Sequence, residues 1–403
     1  MPGAKRRLAA PLWSAALLLA ACGPRSGDTG APAKAPKPSY RFDRTAVDAA
    51  LAADPGVVIG TYRLAPKGIV DGDTIKVEGL DASLRLLAID TEETFKSKSD
   101  RVLYDQGWEV YLAKKAAQSN RPVKIATPLG EEAKHFAEAF FAGIDTVELE
   151  RDHPEELRGR YGRILSYVFV VKDGKRLHYN VEAVRAGMAP YFPKYGHSRR
   201  FRGEFEAAMA EARAAGRGIW DPSKQHYPDY DARLAWWYAR GDFVDAFESK
   251  AETRDDHIVL GRHRALERLS AFEGKDVSVL GTVAKIVETK GDLVLVFLAH
   301  RRGEDLPVVF VDPLAFEDSG IADYVGEYVV VRGPVQHYHD QRRKKDVFEV
   351  VVRAARQVTL PPYTPPGPTP VPQPHEAAAS TRPRAAARSG PPSTEPPSPA
   401  PAP

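Results

Sequence analysis

The sequence predicts a mainly β protein of the α+β class, with two small barrels joined by helices. Three observations predict it. Apolar and polar residues alternate, the period of a half-buried strand, around residues 62–89 and again over 273–358. Apolar side chains recur at helical spacing over 130–142 and 223–272. Both ends, 22–40 and 359–403, are rich in Pro, Ala, Gly or Ser and poor in large apolar residues. A chain of 403 residues with 43% apolar content is long enough for more than one core.

At the N-terminus, Lys5-Arg6-Arg7 precedes a short apolar run over 8–21, too short to span a bilayer and shaped like a signal peptide over 1–21. The run ends Leu19-Ala20-Ala21-Cys22-Gly23, which resembles a bacterial lipobox. That resemblance implies that Cys22, the one cysteine, carries lipid and anchors the protein to a membrane outside the cytoplasm, at the outer membrane or cell surface. The alternative is a small-residue cleavage site that happens to contain cysteine. One cysteine allows no disulfide within the chain. The net charge of +3 falls to about zero without the three leader cations (3 − 3), so a polyanion partner must be argued from local patches.

Residues 22–40 read as a flexible tether. The first domain is expected over 41–222. It opens with a short helix (41–53) and a strand (57–59) to which no function attaches. Strands follow at 62–70, 74–77 and 84–89. The segment 95–128 carries Val102, Leu103, Trp108, Tyr111 and Leu112 at helical spacing, and reads as a packing elaboration rather than a lid. Ala133, Phe136, Ala137, Phe140 and Phe141 give the helix 130–142 its core stripe. Strands at 147–150 and 164–171 follow, then a helix over 181–186 with Asn180 as its N-cap, and another over 205–215. Residues 223–272 read as a helical connector in which Trp236 and Trp237 anchor rather than stack on bases. Five alternating segments over 273–358 suggest a second barrel. The tail 359–403 reads as disordered.

The charged stretch is Asp71-Gly72-Asp73-Thr74, followed by Arg85-Leu86-Leu87 and Asp90-Thr91-Glu92-Glu93. A strand cannot readily bury Asp or Arg without partners. Carboxylates on rigid strands suit a hard, oxygen-seeking cation, and an arginine on the same wall suits a phosphate. With Tyr161-Gly162-Arg163 further on, these motifs, in this order, resemble the thermonuclease (staphylococcal-nuclease-like) family over about residues 62–220. The resemblance implies a five-stranded barrel of the oligonucleotide-binding kind and a Ca2+-dependent phosphodiesterase acting on DNA and/or RNA. It implies that Asp73, Asp90 and the Thr91 carbonyl hold the metal, with Asp71 behind them. Glu93 would be the general base, and Arg85 and Arg163 would grip the scissile phosphate. Cleavage would leave 3′-phosphates. One departure is Glu92, where the family usually has proline; this removes a fixed φ ahead of Glu93 and puts the positioning of the base in question.

Tyr191 and Tyr195 fall where the family places tyrosines near the bound base, and are expected to stack on it or to pack at the surface. The start of the second barrel resembles an oligonucleotide-binding fold, with Arg342, Arg343, Lys344 and Lys345 on a loop that would contact nucleic acid. Two rivals remain: a nucleic-acid-binding module that has lost catalysis, against which the full set Asp73, Arg85, Asp90, Glu93 and Arg163 argues, and an envelope scaffold that binds proteins.

Overall fold

The computed structural model describes residues 44–53, 56–289, 293–301, 303–340 and 344–371. The expectations for Cys22, the leader 1–21, the tether 22–40, Arg342, Arg343 and the tail over 372–403 lie outside the described residues.

The chain opens with α1 (Arg44–Ala53). The two strands expected over 57–70 are one, β1 (Val58–Asp71). Register shifts bend it, so its first half pairs with β4 (Thr146–Glu150) and its second with β2 (Thr74–Val77). β3 (Leu84–Leu86) pairs with β2 and runs parallel to β5 (Ile164–Lys172), which pairs with β4. The ring β1-β2-β3-β5-β4 therefore closes on itself, with β6 (Lys175–His178) hydrogen-bonded outside it. Ile75, Leu84, Leu86, Leu149, Ile164 and Val168 fill it.

β3 is shorter than expected. Ala88 takes φ 62°, which ends the extended run, and Ile89 then bridges to Tyr191. The segment 95–128 holds α2 (Lys98–Tyr104) and α3 (Trp108–Ala116). Then α4 (Pro128–Phe140) starts at Pro128, where the missing N–H costs nothing, and the Thr127 side chain accepts from Gly130 N. α5 (Tyr179–Arg185) is not capped by Asn180. That buried amide instead accepts from Val168 N (3.1 Å) and donates to the Leu87 carbonyl (2.8 Å), tying helix to barrel. α6 (Arg202–Ala214) completes the domain.

The connector is not wholly helical. α7 (Tyr230–Ala251) leads into β7 (His257–Val259), which joins the second sheet parallel to β8 (Asp276–Glu288), with α8 (Ala265–Ser270) between them. One end of α7 packs Leu234 and Trp237 with Tyr111 and Leu112 of α3, which makes the 95–128 segment core. The other end packs Val244 and Phe247 against Val259 and Leu280. Midway, Arg240 donates to both carboxylate oxygens of buried Glu327 at 2.7 Å, and Trp236 Nε1 donates to the same group at 3.2 Å. Removing one partner of such a pair typically costs about 3–5 kcal/mol.

The second barrel continues with β9 (Val294–Ala299), β10 (Leu306–Phe310), α9 (Pro313–Ser319), β11 (Tyr328–Asp340), β12 (Lys345–Val352) and β13 (Val358–Thr359). Its ring, β8-β9-β10-β12-β11, closes in the same order as the first and has the same parallel pair, third strand against fifth. Both barrels are the five-stranded kind expected. The ordered chain extends past the expected boundary at 358. Tyr363 donates to Glu327 (2.8 Å). Thr369 donates to Asp229 (2.8 Å) and accepts from Val123 N (2.9 Å), so this end returns to the first domain.

Candidate active site

The acidic turn sits where β1 passes into β2. A Cβ on Gly72 would lie 2.7 Å from Thr91 and 3.0 Å from Ala133, so only glycine lets the turn seat against α4. Within the turn, Asp73 N donates to Asp71 (3.4 Å) and Thr74 Oγ1 donates to Asp73 (2.8 Å). Across the hairpin, Thr74 faces Arg85. The buried Arg85 guanidinium bridges Asp73 and Asp90 and also donates to the Ile89 carbonyl (3.2 Å). Thr91 N donates to Asp73 (3.3 Å), and Lys124 pairs with Asp90 at 2.6 Å.

Arg163 enters from the start of β5 and donates to Thr74 Oγ1 (3.4 Å). Its loop is held from behind. Buried Arg158 pairs with Asp48 of α1 (2.5 Å) and Asp81 (2.6 Å), and donates to the Gly162 carbonyl (2.8 Å). The opening helix, for which the sequence suggested no purpose, thus buttresses the Arg163 loop.

Glu93 stands at the rim with its side chain 47% exposed, facing Lys96 at 3.6 Å; Lys96 also reaches Asp71 at 3.4 Å. Glu92, beside it, is fully buried. It accepts from Thr127 Oγ1, Tyr227 N (2.7 Å) and Tyr230 OH (2.8 Å). The Glu93 carbonyl accepts from Thr127 N (3.0 Å), and a Cβ on Gly130 would lie 2.1 Å from that oxygen. The backbone at Glu93 is therefore clamped between Thr127 and α4. Where the family usually has proline, this chain has a buried side chain held by three hydrogen bonds.

Electrostatics follow the geometry. Burial, then the neighbouring Asp73 carboxylate, raises the Asp71 pKa. Burial also acts to raise Asp90, but Lys124 and Arg85 outweigh it and hold Asp90 well below the carboxylate range. Arg85 stays charged: burial opposes the cation, and Asp73 and Asp90 more than offset it. Burial raises Glu92, its hydrogen bonds opposing the shift.

The donor chemistry fits an oxygen-seeking cation. Asp73 and Asp90 share one guanidinium, and Thr91 is hydrogen-bonded to Asp73. Among the described residues no three His, Cys, Asp or Glu side chains form a metal-holding group. Water and a phosphate oxygen must therefore complete any Ca2+ shell on these residues.

The nucleic-acid expectations divide. Tyr191 is fully buried, stacks on Phe205 at 5.2 Å and hydrogen-bonds His197 and Ser198, so its ring is not available to a base; this corrects the sequence expectation. Tyr195 lines the same cavity as Arg85 and Arg163. Lys344 is exposed in the β11–β12 turn and Lys345 begins β12, at the far end of β11 from Tyr328. Tyr328 is the residue of β11 that shares a cavity with Arg85. Lys96, Lys124 and Lys194 escaped the sequence reading because they belong to no motif; the one signal was Lys194 lying next to Tyr195.

A profile of the family described as Staphylococcal nuclease homologue matches residues 83–222. The chain is 30% identical over 155 residues to an uncharacterized protein of Methanocaldococcus jannaschii, covering 38% of this chain and 69% of that protein. It is 31% identical over 157 residues to the thermonuclease of Staphylococcus hyicus, covering 38% of this chain and 72% of that enzyme. The second barrel lies beyond the profile match.

Proposed function

The chain belongs to the staphylococcal-nuclease-like family, and we propose from that premise that it is a Ca2+-dependent phosphodiesterase that hydrolyses DNA, and RNA as a second substrate. The observation that carries this reading is the Arg85 guanidinium lying across Asp73 and Asp90, with Arg163 one hydroxyl away on Thr74. Asp73, Asp90 and the Thr91 carbonyl would hold the Ca2+, which supplies positive charge to a phosphate oxygen when bound.

Arg85 and Arg163 orient the scissile phosphate and stabilise the charge that builds on its non-bridging oxygens. Glu93, exposed and on a clamped backbone, takes a proton from the attacking water. Lys96, between Glu93 and Asp71, holds two carboxylates at one rim despite their repulsion. Cleavage at the 5′ P–O bond leaves a 3′-phosphate end and a 5′-hydroxyl, the departing oxygen taking its proton from water. Protein lacking residues 1–21 is expected to degrade single-stranded DNA with Ca2+ and to stop when EGTA is added; an unchanged rate in EGTA would contradict the metal assignment.

We place the enzyme outside the cytoplasm, anchored through lipid on Cys22. The support is the basic leader, the apolar run and the single cysteine at its end. Cys22→Ser is expected to move the protein from the membrane to the soluble fraction of fractionated cells, and retention in the membrane fraction would count against the anchor.

A further inference from the structure

A cavity of about 190 Å³ separates the two barrels. The first barrel lines it with Arg85, Arg160, Arg163, Lys194 and Tyr195, α7 adds Arg240, and the second barrel contributes Thr282, Gly326 and Tyr328. Its lining holds five cations and no carboxylate. Three of the arginines have acids to share. Arg85 bridges Asp73 and Asp90, Arg240 is held by Glu327, and Arg160 faces Asp305 at 3.5 Å.

Lys194 differs. Its ammonium has no carboxylate in contact among the described residues, and it lies 5.5 Å from the centre of the Tyr195 ring. Asp90, which attracts it through space, is already committed to Arg85 and Lys124. Burial, Arg85 and Lys124 together depress the Lys194 pKa to about 7. A half-buried cation kept among other cations is costly unless an anion joins it.

We propose that Lys194 anchors a second backbone phosphate of the nucleic-acid substrate, and that Thr282, Gly326 and Tyr328 of the second barrel wall this subsite. The subsite rests on the nuclease reading, because it places that phosphate beside the one gripped by Arg85 and Arg163. The second barrel then serves the reaction as one side of the substrate cleft. It does so with the end of β11 opposite the basic β11–β12 turn. Lys194 is a positioning residue: it holds a phosphate that does not react, so it acts on binding more than on the chemical step.

The test is steady-state cleavage of an eight-nucleotide single-stranded oligothymidylate with Ca2+ over a salt series. Lys194→Gln is expected to raise KM about tenfold with kcat within about twofold, the pattern of lost ground-state binding. The slope of log kcat/KM against log salt should shrink by about 0.7, the value for one phosphate contact on a single strand. Lys194→Arg should restore both. Thr282→Trp, which fills the cleft from the other barrel, should also raise KM while leaving the Ca2+ affinity measured by calorimetry unchanged. Parental KM and salt slope in Lys194→Gln, or parental KM in a folded Thr282→Trp, would overturn the subsite and leave the nuclease reading standing. No cleavage by the parent protein would overturn both.

Discussion

Arg163→Ala is expected to lower kcat by about three orders of magnitude and to leave the melting temperature within about 2 °C, because this half-buried side chain makes a single hydrogen bond to the fold. Arg85→Ala should lower kcat as much and destabilise the protein as well. Arg85 neutralises two carboxylates at once and also donates to the Ile89 carbonyl. Without it, Asp73 and Asp90 keep only Lys124 and a few neutral donors. Leaving buried charge uncompensated costs about 3–5 kcal/mol. Ca2+ bound to the same carboxylates should restore part of that loss, so Arg85→Ala should gain more melting temperature from added Ca2+ than the parent does. Thermal melts of both variants with Ca2+ and with EGTA check this. Equal Ca2+ shifts in parent and Arg85→Ala would mean that the metal does not use the Asp73–Asp90 pair.

Glu92→Ala is the second large effect. Truncation strands three donors, Thr127 Oγ1, Tyr227 N and Tyr230 OH, in a site closed to water. The expected loss is about 3 kcal/mol in chemical denaturation, and kcat should fall with it because the Glu93 backbone loses its anchor. Glu92→Gln keeps the shape and an accepting oxygen and should stay within about 1 kcal/mol. The pH dependence separates the two effects. Burial raises the Glu92 carboxyl above its ordinary 4.5, so the fold prefers the protonated form. Its contribution is then complete below about pH 4.5 and is lost as the pH rises through the raised value. The stability of Glu92→Gln relative to the parent should therefore rise as the pH increases above about 4.5. A flat difference would show that Glu92 ionises freely.

Much of the site was legible because its parts lie on adjacent strands. Asp73 and Arg85 sit one hairpin apart, and the register that pairs Thr74 with Arg85 brings their charges together. Arg163 came from a short motif, and the helix stripe through Phe136 and Phe140 came from its period. What stayed hidden depends on residues far away in sequence. Glu92 looked like a lost proline because its anchors, Tyr227 and Tyr230, lie 135 and 138 residues on. Asn180 looked like a helix cap because nothing local pointed to the Leu87 carbonyl, 93 residues back. Tyr191 looked like a surface ring until Phe205 and His197 closed over it. The cleft between the barrels exists only through tertiary packing, and the alternation of β8 and β11 carries no sign of which strand end faces the arginines.

Reciprocal binding is the most direct test of the claim that one divalent ion and two guanidinium groups converge on a single phosphate. In the Glu93→Gln protein, which should bind without turning over, Ca2+ affinity is measured by calorimetry with and without the eight-nucleotide single strand. If both ligands share the site, the oligonucleotide tightens Ca2+ by about tenfold, and Ca2+ tightens the oligonucleotide by the same factor. Ca2+ binding that is indifferent to the oligonucleotide would place metal and phosphate apart and contradict the account.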